Sequence, residues 1–171
     1  MARYGIKYCT VGDNCYPRVL RKIANRPAVL YYKGNITILN ERHNLAVIGG
    51  RRCSKKAEEL AFMTGEYSIC SGLKKYQYVE RDRLQSGVSD GVLVVEAERE
   101  SGTMHTVEYA KQQYRRLACY CNALFAIEKA TGNQYIQENS RAQIINNTND
   151  LNIFLNDIAQ EPYYEQMSLF D

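Results

Sequence analysis

With 171 residues, 45% of them hydrophobic, the chain is long enough to bury one domain-sized core, and its composition excludes collagen-like, low-complexity and wholly disordered classes. A formal net charge of +3 excludes a strongly basic nucleic-acid coat, so any attraction for phosphate must come from local clustering. The cations do cluster: Arg51, Arg52, Lys55, Lys56, Lys74, Lys75, Arg81 and Arg83 crowd one stretch, and Glu96, Glu98 and Glu100 follow a later strand.

After a Tyr-rich start containing Tyr16-Pro17, Ala28–Tyr32 reads as a short strand ended by the turn signal Lys33-Gly34-Asn35. Leu45–Ile48 reads as the next strand, followed by a helix from about Lys55 to Tyr67, a strand Ser68–Ser71 closed by Gly72, and a helix from about Val79 to Gln85. Gly91-Val-Leu-Val-Val-Glu96 is an apolar run of the kind buried on both faces of a sheet. A helix over Thr103–Arg116, with Val107, Ala110 and Tyr114 at helical spacing, leads to a strand Leu117–Cys121. A helix near Ile127–Asn139, a strand Gln143–Ile145 and a helix near Leu151–Ala159 complete the series. This βαβα alternation predicts an α/β, Rossmann-like three-layer domain, its mostly parallel sheet flanked by helices and its ligands outside the carboxyl ends of the strands. One domain is expected over residues 1–160, with 1–40 as a lead-in and 161–171 as a mobile tail.

Three loops converge on those strand ends. In the first, Gly49-Gly50 runs into Arg51, Arg52, Ser54, Lys55 and Lys56 where a helix should begin. Cations oppose the partial positive charge of a helix N-terminus, and a bound phosphate resolves the conflict. The glycines admit close main-chain approach and Ser54 suits an N-cap. The alternative is a solvated basic first turn. Ser71-Gly72 forms the second loop. In the third, Ser101, Gly102 and Thr103 open a helix and offer hydroxyls and N–H donors, while Glu96 is placed to take a ribose hydroxyl or, equally, to cap the next helix or pair with Arg99.

The six cysteines, Cys9, Cys15, Cys53, Cys70, Cys119 and Cys121, lack the spacing of a disulfide framework and read as reduced. Cys119-Tyr-Cys121 has no second pair, and His43 and His105 stand at no ligand-like spacing, so neither a metal nor a cofactor is expected. No apolar signal-peptide core and no bilayer-length run is present, which predicts a cytoplasmic protein with no membrane partner.

Several short motifs occur in a telling order: Tyr16-Pro17-x-x-Leu20, Pro27-x-x-Leu30-Tyr31 with Gly34-Asn35, Ala46-Val-Ile-Gly-Gly-Arg51, Ser71-Gly72-Leu73, Arg81-Asp-Arg83 with Ser86-Gly87-Val88-Ser89-Asp90, Val92–Glu96, Ser101-Gly-Thr-x-x-Thr106 and Thr131-Gly132-Asn133. Across roughly residues 16 to 145 the chain resembles the DNA-processing protein A family, also called DprA or Smf. The resemblance implies that Gly49, Gly50, Arg51, Ser54, Arg81 and Arg83 contact phosphates, that the ligand is single-stranded DNA, that the protein helps to load a recombinase without catalysis, and that it dimerises. In the family, Ser-Gly-Leu is followed by an Ala-x-Gly-Ile-Asp element and further strand and helix units; here Leu73 runs almost at once into Lys74-Lys75 and on to Arg81, so the chain resembles a compact form lacking the middle. The central acid of Arg81-Asp82-Arg83 also replaces the family's asparagine.

Tyr67, Tyr76 and Tyr78, interleaved with Lys74, Lys75 and Arg81, suit base stacking, although in a chain with 14 tyrosines each of them also suits the core. A second reading is a small-nucleotide signal binder: a sensor, or a viral sponge that sequesters an immune signal such as an ADP-ribose derivative. A third, a nucleotide phosphoribohydrolase, requires a glutamate that Ser101-Gly102-Thr103-Met104-His105-Thr106 lacks. Finally, Gln166, Leu169 and Phe170 in Gln-Met-Ser-Leu-Phe resemble the peptide with which bacterial DNA-handling proteins bind the sliding clamp; the alternative is that Leu169 and Phe170 fold back onto the protein or a partner subunit.

Overall fold

A computed structural model describes residues 6–50 and 82–160. Its centre is a parallel sheet of four strands in the order β3 (Leu45–Ile48), β4 (Gly91–Val94), β5 (Arg116–Tyr120) and β6 (Gln143–Ile145). Residues of β4 alternate between faces with a period of two, and both faces are covered. Val92 and Val94 pack with Ile48, Cys119 and Val107 and Ala110 of helix α4 (Thr103–Gln112), together with Ile136 of α5 (Thr131–Asn139). Leu93 and Val95 pack on the other face with Ala118, Tyr120, Ile145 and Phe154 and Ile158 of α6 (Thr148–Gln160). Each such side chain taken wholly out of water contributes roughly 1.5–3 kcal/mol before conformational entropy is subtracted. The α/β expectation therefore holds, and every predicted strand that falls on described residues is found, within a residue or two. The predicted helix over 55–67 and strand over 68–71 lie outside the described residues; 82–87 is helical (α3), matching the end of the predicted 79–85 helix.

The lead-in contains a strand that its sequence pattern does not announce. Ile6–Thr10 (β1) pairs antiparallel with Val29–Lys33 (β2), placing Tyr8 opposite Tyr31. Two short helices, α1 (Arg18–Arg21) and α2 (Ile38–Glu41), follow these strands. Beneath the hairpin, Cys9, Tyr16, Leu20, Ile23 and Ile36 form a third core that Leu84 and Val88 join from α3 and its exit. The Tyr16 hydroxyl satisfies itself by donating to the Pro27 carbonyl at 2.7 Å.

Helix α4 ends four residues before the expected Arg116. Tyr114 takes a left-handed backbone (φ 53°), its N–H donates to the Lys111 carbonyl at 3.1 Å, and the Arg115 N–H reaches the Ala110 carbonyl at 2.8 Å. This pattern is a Schellman stop with tyrosine where glycine is usual, so no local sequence signal marks it.

Burial pushes the Cys9 thiol up to about 11, with Cys15 adding to the effect, and the Cys119 thiol up to about 12, with Cys121 adding. Folding therefore holds protons that the unfolded thiols release above their ordinary 9.0, and this part of the stability is lost as pH rises from about 9 toward 11–12. Iodoacetamide at mildly alkaline pH is expected to modify Cys15 and Cys121 well before Cys9 and Cys119, as read by peptide mass analysis.

Candidate functional site

Strands β3 and β4 deliver two of the expected loops to one end of the sheet. Pairing continues past the strands: Val95 N–H donates to the Ile48 carbonyl at 2.8 Å, and Gly50 N–H donates to the Glu96 carbonyl at 2.7 Å. A Cβ at Gly49 would stand 3.4 Å from that carbonyl oxygen, and one at Gly50 3.5 Å from it, so packing alone does not demand glycine at Gly50 and only just tolerates a side chain at Gly49. What the pair provides is bare main chain at the strand end, where a ligand can approach closely. Glu96 is 2% exposed, so its carboxylate is not open to a sugar at the surface of this loop.

The third loop is held by the start of α5. Gly132 N–H donates to the Ala97 carbonyl at 2.8 Å, and Arg99 N–H donates to the Thr131 hydroxyl at 3.0 Å. Asn133, wholly buried, accepts from Ala97 N–H at 2.8 Å through Oδ1 and donates through Nδ2 to the Val95 and Tyr120 carbonyls, each at 2.9 Å. One side chain thus ties together the carboxyl ends of β4 and β5 and the first residue of the loop. The Arg99 guanidinium lies over the Tyr135 ring at 4.5 Å. Ser101 and Gly102 then lead into α4, whose first turn carries no acid and whose N-cap, Gly102, makes no side-chain cap, although the Met104 and His105 N–H groups already donate to the Ser101 and Gly102 carbonyls at 3.1 Å each. Thr103 is buried and Ser101 half-buried.

Packing at Gly132 is tight. A Cβ there would meet the Ala97 carbonyl oxygen at 2.6 Å and main-chain carbons of Ala97 and Glu98 at 3.0 and 3.1 Å, all unyielding, whereas at Gly91 the nearest atom, 2.5 Å away, is the movable Cδ1 of Ile158. Gly132→Ala is expected to lower stability by about 2 kcal/mol in urea unfolding and to displace the loop, and Gly91→Ala to cost less.

Charge around these loops is unevenly distributed. A groove of about 490 Å³ on the α5 side is lined by Glu98, Glu100, Glu128 and Glu138 beside Arg99 and Tyr135, and it repels phosphate. The Arg83 main chain is placed elsewhere: its carbonyl accepts from the Gln113 side chain at 3.2 Å, at the far end of α4 from Ser101–Thr103. Arg51, Arg52, Ser54, Ser71, Gly72, Arg81, Gln166, Leu169 and Phe170 lie outside the described residues. Among the described residues no cluster of metal-ligating side chains comes together, and no helix is long and apolar enough to cross a membrane.

Two structural residues escape the sequence reading. Asn133 was visible only as part of a resemblance, although an asparagine in the first turn after Gly132 is a poor helix former and asks for a partner. Arg115, buried before β5, donates through Nε to the Ser86 carbonyl at 3.1 Å and through Nη2 to the carbonyls of Gly87 at 2.7 Å and Val19 at 2.9 Å. Burial pushes its pKa down to about 10, partly offset by Asp90.

A parallel sheet covered on both faces, with glycine loops at its carboxyl ends, defines a Rossmann-like α/β protein. The chain belongs to the DNA recombination-mediator protein A family, whose model matches residues 7–67 and 59–156. It is 38% identical to DNA processing protein DprA of Streptococcus pneumoniae over 68 residues, which is 37% of this chain and 24% of that protein. Against DprA of Bacillus subtilis it is 21% identical over 202 aligned positions, 81% of this chain and 68% of the relative. The chain thus spans about a quarter of the first relative's length and two thirds of the second's. An alignment longer than the chain contains gaps, and the family match falls in two segments, in keeping with a compact form. Two solved structures share the fold. The X-ray structure of DprA from S. pneumoniae has a TM-score of 0.70 at 20% identity, over 86% of this chain and 74% of that one. DprA from Helicobacter pylori, described for its single-stranded DNA binding mode, has a TM-score of 0.70 at 18% identity, over 88% and 97%.

Proposed function

We propose that this chain binds single-stranded DNA without catalysis, as part of DNA recombination or processing, with phosphates held at Gly49–Ser54, Ser71-Gly72 and Ser101–Thr103, and with Arg81, two residues before Arg83, as a further contact along the strand's path. The observation that carries the reading is the family match over residues 7–67 and 59–156, which takes in all of these segments. The bare Gly49-Gly50 main chain and the acid-free first turn of α4 at the same end of the sheet support it. A recombinase, the sliding clamp through Gln166, Leu169 and Phe170, and a second copy of the chain are the protein partners in this reading, and the cytoplasm is its setting.

In a second reading the same loops enclose one small nucleotide, which the bare Gly49-Gly50 main chain would suit equally. Denaturing release and mass analysis of the purified protein, beside a salt titration of oligo-dT binding, separates the two. DNA binding predicts log affinity falling with log salt by about 0.7 per phosphate neutralised, and a comparable weakening for every sequence in Arg51→Ala and Arg81→Ala. A stoichiometric nucleotide with negligible oligo-dT binding would replace the first reading by the second.

A further inference from the structure

At the other end of the sheet lies a basic groove that the loops above do not explain. It is about 270 Å³ in volume and is lined by Lys111, Arg115, Arg116 and Arg141, with no acid in its lining. These cations come from three places: the last turn of α4, the entry to β5, and the α5–β6 connection. Acids stand just outside the lining, Asp90 among them, which acts on Arg115, and the Lys111 ammonium also lies 5.9 Å from the Tyr135 ring. Glu108 lies 2.9 Å from Lys111 and Asp157 3.8 Å from Arg116, and both are about half exposed, so a phosphate competes with them in solvent. Tyr114, 57% exposed, is not in the lining but directly precedes Arg115-Arg116 in the chain, and its N–H donates to the Lys111 carbonyl. Its left-handed backbone is one that glycine would adopt at lower cost, so the position carries an aromatic ring at the expense of stability.

We infer that this groove is a second contact for single-stranded DNA, with Lys111, Arg116 and Arg141 on phosphates and Tyr114, outside the lining but adjoining it in the chain, as a stacking platform. Separated cations with a solvent-facing ring are the combination a single strand uses, whereas a small anion has no use for the ring. The inference rests on the reading that the carboxyl-end loops bind such a strand. Because Arg116 opens β5 and Gln143 opens β6, the groove is at the amino ends of the strands, about 17 Å along a five-residue strand from the loops. A short oligonucleotide therefore occupies one site, and only a longer one reaches both.

The test uses the full chain, oligo-dT of about 6 and about 30 nucleotides, and two variants, Lys111→Gln/Arg141→Gln and Tyr114→Gly. For the long oligonucleotide, affinity is expected to fall about tenfold in each variant, and the salt slope by about 0.7 per cation removed, with short-oligonucleotide binding unchanged. Tyr114→Gly should melt at a higher temperature while binding less, an outcome that a purely structural tyrosine would not give. Inorganic tripolyphosphate should shift the amide resonances of Arg116 and residues 140–143. If both variants melt normally and bind the long oligonucleotide as the parent does, the groove assignment is overturned while the loop reading stands. If tripolyphosphate shifts those resonances but neither oligonucleotide binds the parent, the assignment to nucleic acid falls together with the reading it rests on.

Discussion

Asn133→Ala is expected to lower stability by about 4 kcal/mol and to abolish ligand binding at the loops even where the protein stays folded. The substitution strands the Ala97 N–H and the Val95 and Tyr120 carbonyls in a site with no access to water, at roughly 1–3 kcal/mol for each unpaired group, and leaves a small void. Relaxation of the loop recovers part of that cost but moves Glu96 and Ser101–Thr103, which is why binding should suffer too. Asn133→Asp separates hydrogen bonding from volume. Its carboxylate would face two carbonyl oxygens it cannot donate to, so its pKa in the folded state should rise above the unfolded value. The cost is then fully present at neutral pH and shrinks as pH falls through that raised value, because the protonated acid regains a donor. Urea unfolding of the three proteins at pH 5 and pH 8 checks this: a gap between Asn133→Asp and the parent that fails to narrow at pH 5 would show that the side chain is not confined as described.

Arg115→Met should cost about 3 kcal/mol and should act on the N-terminal unit before the sheet. Three hydrogen bonds from a charged donor contribute roughly 1.5–3 kcal/mol each. Against them stands the burial of the guanidinium, which its fall to about 10 puts at about 3 kcal/mol. The bonds win, and methionine fills the volume but leaves the carbonyls of Val19, Ser86 and Gly87 unanswered. Arg115→Lys keeps the charge but lacks the planar fork, and should fall between parent and Met. Hydrogen exchange should show β1 and β2 losing protection ahead of β4 and β5; uniform loss across the chain would mean that the arginine does not tie the hairpin to the sheet.

The elements legible from sequence are those whose pattern is written locally. The apolar runs at Leu45, Gly91 and Leu117 announced buried strands, because a sheet covered on both faces needs no polar alternation. Ile6–Thr10 went unread for the opposite reason: Lys7 and Thr10 interrupt the run, and what makes it a strand is its pairing with Val29–Lys33. The sequence carries α4 on to Arg116 because nothing in Gln113-Tyr114-Arg115 resembles a stop; the left-handed turn falls on a tyrosine. At the site, Gly49-Gly50 and Ser101–Thr103 were readable as loops at strand ends. The side chains that hold this end of the sheet and the N-terminal unit in place, Asn133 and Arg115, bond to main chain 13 to 96 positions away, a distance no periodicity reaches.

The Arg115 contact also bears on how this protein tolerates sequence drift. All three of its described acceptors are peptide carbonyls, which every amino acid supplies. Val19 can therefore change side chain without loosening the joint, whereas packing restricts the other two: Ser86 is wholly buried and a Cβ at Gly87 would meet Leu20 Cδ1 at 2.7 Å. Paired substitutions between the hairpin and the sheet would not mark this connection in a set of relatives, so methods that infer proximity from correlated change would miss one of the strongest ties between the two halves of the fold.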